Sequence, residues 1–89
     1  MRGKASVKVP GGKLVRVEAE YSDVFEDVNI TGDFFLEPPD ALQEIEQRIE
    51  GMATDADQDD YAEAVRQVDA EMVGFSADDV AEALSEVVA

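Results

Sequence analysis

Every second residue from Val15 to Tyr21 is apolar: Val15, Val17, Ala19 and Tyr21 alternate with Arg16, Glu18 and Glu20. Period two puts one set on each face of a strand, so residues 13–21 read as a half-buried strand. Residues 5–9 alternate in the same way, and Val28 and Ile30 resume the pattern within residues 24–31. Pro10-Gly11-Gly12 and Ser22-Asp23 separate the three runs as tight turns. Three strands with such short connections predict an antiparallel meander.

Beyond residue 39 the period lengthens. Leu42, Ile45 and Ile49 fall at i, i+3 and i+7, a helical stripe, with Gly51 just past its end. Tyr61, Val65, Val68 and Met72 predict a second helix, closed by Gly74. A third is announced by Ser76-Ala77-Asp78-Asp79, a capping box with the shorter Asp where Glu or Gln is usual. Phe75 is placed to staple onto Val80, and Val80, Leu84 and Val87 or Val88 form the buried stripe. The order β-β-β-α-α-α predicts an α+β fold, a three-stranded antiparallel meander with about three helices packed on one face. Eighty-nine residues predict a single domain over 1–89.

The seam between the halves is "ITGDFFLEPPDAL", residues 30–42. Gly32 suits a bend, bulge or close backbone approach at the end of the third strand. Phe34 and Phe35 are adjacent, so an extended backbone sends them to opposite faces. One enters the core and the other needs a separate apolar neighbour. Pro38-Pro39 stops the strand and suits the first turn of a helix.

Charge changes the picture. Residues 1–39 carry seven acidic and five basic side chains, a net of −2; residues 40–89 carry fifteen and two, a net of −13. Such a field repels nucleic acid and anionic membrane, which are excluded as partners of the second half. Three lysines against 22 acids is what adaptation to high salt produces, an acidic mesophilic domain being the alternative. With no cysteine and no histidine, the chain has no disulfide, no thiol nucleophile, no imidazole and no zinc site of the usual kind. No apolar run approaches the roughly 20 residues of a bilayer span and no signal-peptide core follows Met1, so the expected location is cytoplasmic.

Candidate chemistry is sparse. Asp55, Asp57 and Asp59 have calcium-loop spacing, but Asp60 stands where the loop needs glycine and Arg66 where it needs glutamate. These acids suit the start of the second helix instead. No carboxylate pair is marked out for acid–base work, and a domain this small has little room for a deep pocket. "VPGGK", residues 9–13, lacks the serine or threonine and the helix that a phosphate loop requires, and reads as a hairpin turn. Lys4, Lys8, Lys13 and Arg16 nevertheless collect most of the positive charge near that edge, a candidate contact surface.

The segments "KVPGGKLVRVEAEY", "VNITGDFFLEPPDAL" and "GFSADDVAEAL", in that order, resemble the small accessory domain of lipoate–protein ligases, especially the archaeal form encoded separately from its catalytic subunit. They span most of residues 8–84; Ser22-Asp23 stands where the family pattern has a glycine. The resemblance implies a non-catalytic subunit that supports lipoyl-adenylate formation in protein lipoylation. Its partner would be the catalytic subunit of the ligase, in a heterodimer. That subunit would bind ATP and lipoate, and this chain alone would bind no cofactor and no metal. The partner-interface candidates are Gly11, Gly12, Lys13 and Arg16 at the turn and its strand, with Phe34 and Phe35 at the seam. The alternative readings are a free-standing acidic scaffold or adaptor and an independent acid-dependent hydrolase.

One prediction follows from the charge. Thirteen net negatives in fifty residues repel one another when the Debye length is about 30 Å at 0.01 M salt, and far less when it is about 3 Å at 1 M. The thermal midpoint should therefore rise from low to molar potassium chloride. A midpoint that is flat or falls contradicts this.

Overall fold

The structure, a computed structural model, describes residues 1–11 and 13–89. Strands β1 (Arg2–Lys8), β2 (Leu14–Tyr21) and β3 (Phe25–Gly32) form an antiparallel sheet in the order β1-β2-β3. Register sets Val7 opposite Val15, Ala5 opposite Val17, and Ile30 and Val28 opposite Val17 and Ala19. One sheet face is thus built of small and β-branched apolar residues. Helices α1 (Ala41–Ile49), α2 (Gln58–Arg66) and α3 (Ala77–Val87) supply the other wall of the core. Val15, Val17, Ile45, Ile49, Val65, Val80 and Leu84 are fully buried in one apolar cluster. The expected α+β fold, a meander followed by three helices, is the observed one.

Two helices begin as their sequences demand. Ser76 caps α3, its Oγ accepting from Asp79 N–H at 3.4 Å while Asp79 Oδ2 accepts from Ser76 N–H at 2.8 Å. The short aspartate therefore suffices for the reciprocal bond. At α2, Asp60 accepts from the Asp57 N–H at 3.3 Å, so these acids serve the helix start. The two prolines lie just ahead of α1, where the carbonyls of Pro38 and Pro39 accept from the N–H groups of Ala41 and Leu42. The buried stripe of α1 is Ala41, Ile45 and Ile49; Leu42 is half-buried at its edge. The Ser22-Asp23 turn is made without a left-handed residue, since the positive φ values of the described residues fall on Gly11, Gly51 and Gly74. A register shift at Glu20/Tyr21 and hydrogen bonds from Thr54 Oγ1 to the Ser22 and Asp23 carbonyls hold it instead.

The second helix is shorter than its stripe suggests. It ends at Arg66, and Met72 lies in β5 (Glu71–Val73), paired with β4 (Phe35–Glu37) in a separate two-stranded ribbon. Tyr61, Val65, Val68 and Met72 fit a helix, but Val68, Ala70 and Met72 also alternate with Asp69, Glu71 and Val73. Tertiary pairing decides between the two periods: Met72 is set opposite the buried Leu36 and packs partly buried against the core.

The β3 edge is occupied from α1. Glu46 accepts a hydrogen bond from Ile30 N–H at 2.8 Å, and Glu50 one from Val28 N–H at 3.1 Å. Two carboxylates thereby take the donors that an added strand would use. Burial pushes the Glu46 carboxyl above its ordinary range; the Ile30 N–H opposes this, while the charges of Glu50 and Asp27 reinforce it. A carboxyl raised in the folded state destabilises it once ionised, so its contribution is best below about pH 4.5 and worsens as pH rises through the folded value. Glu46→Gln keeps an acceptor and removes the charge. It should raise the thermal midpoint at pH 7, with the gain vanishing toward pH 4. Glu46→Ala, which orphans the Ile30 N–H, should cost about 1 kcal/mol near pH 4 and less at pH 7, where it also removes the unfavourable charge. Parallel melting curves of the three proteins check both the sign and its pH dependence.

Candidate partner interface

The end of the sheet is fixed by backbone contact. Gly32 is paired opposite Val15, and a Cβ placed on it would lie 2.1 Å from the Leu14 carbonyl oxygen and 2.6 Å from the Phe34 ring. Close approach, with no positive φ, is what requires glycine here. Asp33 then ties the next rung, its Oδ1 accepting from Leu14 N–H at 2.6 Å and its own N–H donating to the Leu14 carbonyl at 3.3 Å. The chain is locked to β2 before it turns away.

Beyond that lock the two phenylalanines separate as expected. Phe34 turns inward and packs on the buried Phe75, ring centroids 4.1 Å apart and planes tilted by 33°. Phe35 turns outward and is 68% exposed. Its cross-strand neighbour in the ribbon is Val73, itself 46% exposed. The next pair on that ribbon face is Glu37 opposite Glu71, both exposed. A groove of about 440 Å³ beside Phe35 is also lined by Thr31, Gly32, Pro39 and Leu42.

The basic candidates divide. The Lys13 side chain lies over Gly74, where an added Cβ would stand 3.1 Å from its Cγ. Lys13 is consequently half-buried, not the free lysine of an open turn. Arg16 is exposed on the sheet face away from the helices, opposite Ser6 on β1 and Thr31 on β3. It shares that face with Lys4 and Lys8 and lines, with Lys4 and Ser6, a shallow depression of about 540 Å³. Lys13 and Arg16 therefore do not form one patch. Gly11 turns at φ +99° in open space, and Gly12 lies outside the described residues.

Charge pairing sets the basic candidates apart from the other cations. Arg2 bridges Glu18 and Glu20, Arg48 pairs with Glu44, and Arg66 with Glu63 and Asp78. Among the described residues Lys4, Lys8, Lys13 and Arg16 enter no ion pair, in a chain with 22 carboxylates. Three contacts link the separated candidates at one end of the molecule: Arg16 faces Thr31, Thr31 lines the groove with Phe35, and Lys13 covers the glycine after Val73.

Val73 and Glu71 fall inside the helix that the stripe from Tyr61 to Met72 predicts; the alternation from Val68 to Val73 is the signal that finds them in a strand. Among the described residues no group of three His, Cys, Asp or Glu side chains is placed to hold a metal ion. Among them, too, no helix is long and apolar enough to cross a membrane.

No family model matches the chain, and no curated protein does. Among solved structures it is similar to a chain from an archaeal lipoylation system, described as a bi-partite lipoate protein ligase and its E2 lipoyl domain from Thermoplasma acidophilum. The two share 24% identity with a TM-score of 0.79, and the alignment covers 94% of each chain. The likeness is one of fold and extends over nearly the whole of both chains.

The site generates a stability prediction. Gly32→Ala forces its methyl group into a backbone carbonyl and an aromatic ring, neither of which can swing aside as a flexible side chain would. The cost should be about 1–3 kcal/mol, the range of core overpacking. Gly11→Ala, strained by its φ but free of any neighbour, should cost less. Chemical denaturation of both variants gives the order.

Proposed function

We propose that this chain is the non-catalytic accessory subunit of a two-component lipoate–protein ligase. It would support lipoyl-adenylate formation by the catalytic subunit, which supplies the ATP and lipoate sites. The observation that carries the reading is the likeness, over 94% of both chains, to a component of a bi-partite lipoate protein ligase system. The contact residues in this reading are those of the Pro10–Lys13 turn with Arg16, and the Phe34–Phe35 seam.

That likeness alone would equally suit the domain that receives the lipoyl group. An acceptor must deliver a lysine amine to the activated carboxyl. The chain has three lysines. Lys13 is held along Gly74, and Lys4 and Lys8 belong to β1, paired in the sheet opposite Glu18 and Leu14. This favours the accessory role over the acceptor role.

The test is reconstitution of lipoylation with ATP, lipoate, an acceptor domain and the catalytic subunit, with and without this chain. Adenylate formation and acceptor modification should depend on its addition. The chain by itself should form no lipoyl-adenylate, and its own mass should not change. Adenylate made by this chain alone, or a lipoyl mass gain on one of its lysines, would falsify the accessory reading.

A further inference from the structure

We infer that the outward face of the β4–β5 ribbon is the docking surface for the catalytic subunit, and that the surface it meets has an apolar pocket with a basic side chain beside it. The inference rests on the accessory-subunit reading and specifies the chemistry of its contact. Phe35 is the most exposed aromatic ring, 68% accessible, and Val73 stands directly across from it. Their neighbours within the fold leave them largely open, while Leu36 and Met72 turn the other way toward the core. Large aromatic anchors seated in a partner's pocket are where binding energy concentrates.

The charges beside the anchor set the occupant's polarity. Glu37 and Glu71 are directly opposed on the same ribbon face. Like charges in that relation are unfavourable in a sheet pair, and no cation of this chain bridges them among the described residues. A lysine or arginine from outside would satisfy both. At the other end of the ribbon Lys13 covers Gly74, and the groove wall at Thr31 leads to Arg16. With Lys13 beside Gly74 at one end of the ribbon and Glu37 and Glu71 at the other, charge favours a partner whose own charges run in the reverse order. A polyanion such as nucleic acid meets Glu37 and Glu71 as repulsion, as does a second copy in which the same carboxylates approach each other.

The test measures the affinity of the full chain for the purified lipoate-ligase catalytic subunit by calorimetry, alongside each variant's thermal midpoint and sedimentation. Phe35→Ala should leave the free chain's midpoint nearly unchanged and weaken binding by ~30-fold or more, the scale of a hot-spot residue. Glu71→Lys replaces a like-charge pair by an opposite one, so it should raise the free chain's midpoint and still weaken binding. A merely structural residue would move the two readouts together. Glu82→Lys on the exposed side of α3 should leave affinity unchanged. Wild-type affinity in both Phe35→Ala and Glu71→Lys overturns the docking surface while leaving the accessory role intact. Absence of any binding by the unmodified chain overturns the accessory role and this surface with it. A homodimer that Phe35→Ala dissociates overturns the named occupant in favour of a second copy.

Discussion

Where the third strand ends, a glycine lies against a carbonyl oxygen, and the rest of the architecture depends on that approach. With no side chain at Gly32, β3 stays beside Leu14 to the last rung, and Asp33 closes the sheet by accepting from the Leu14 N–H. The direction in which the chain departs is then fixed. Phe34 falls onto Phe75, which anchors the start of α3, and Phe35 falls outside. One backbone contact thus links the sheet to the third helix and places an exposed aromatic on the outer face of the ribbon.

The excess of carboxylates is less wasteful than the net charge suggests. Asp33 ends the sheet, Glu46 and Glu50 occupy the β3 edge, Asp60 and Asp79 complete helix starts, and Glu18 and Glu20 hold Arg2. Each accepts from a donor that would otherwise face water or another chain, so acidity and local structure are served by the same residues. Glu37 and Glu71 have no such donor among the described residues. Other surface acids share that lack; what distinguishes the ribbon is that these two stand directly opposite each other with no cation of the described residues between them.

Most of the fold was legible because each element stated its period clearly. The alternation from Val15 to Tyr21 gave β2, and the Ser76–Asp79 box with its apolar stripe gave α3. The ribbon was not legible, for two physical reasons. β4 is three residues long, too short to display a period, and the residues of β5 satisfy helical and extended spacing alike until Leu36 is brought opposite Met72. Of the interface candidates, Phe34 and Phe35 were readable because neighbours on an extended chain must diverge. The basic group was readable only as composition. Whether Lys13 and Arg16 share a face depends on where the turn sends the lysine, and Gly74, sixty-one residues later in sequence, decides that.

A completed core constrains how such a domain can act. Among the described residues no polar or charged residue is buried, and no buried side-chain polar atom lacks a partner. Docking therefore has nothing inside the domain to complete; it can only add contacts to a surface that is already folded. An interface built on one aromatic anchor and a short ribbon belongs with small, reversible contacts, where specificity comes from the order of charges more than from buried area. Such a contact can form and break without unfolding either partner. In the proposed accessory role, a chain with no imidazole or thiol of its own would act by where it places its neighbour, and the ribbon face is the surface we assign to that contact.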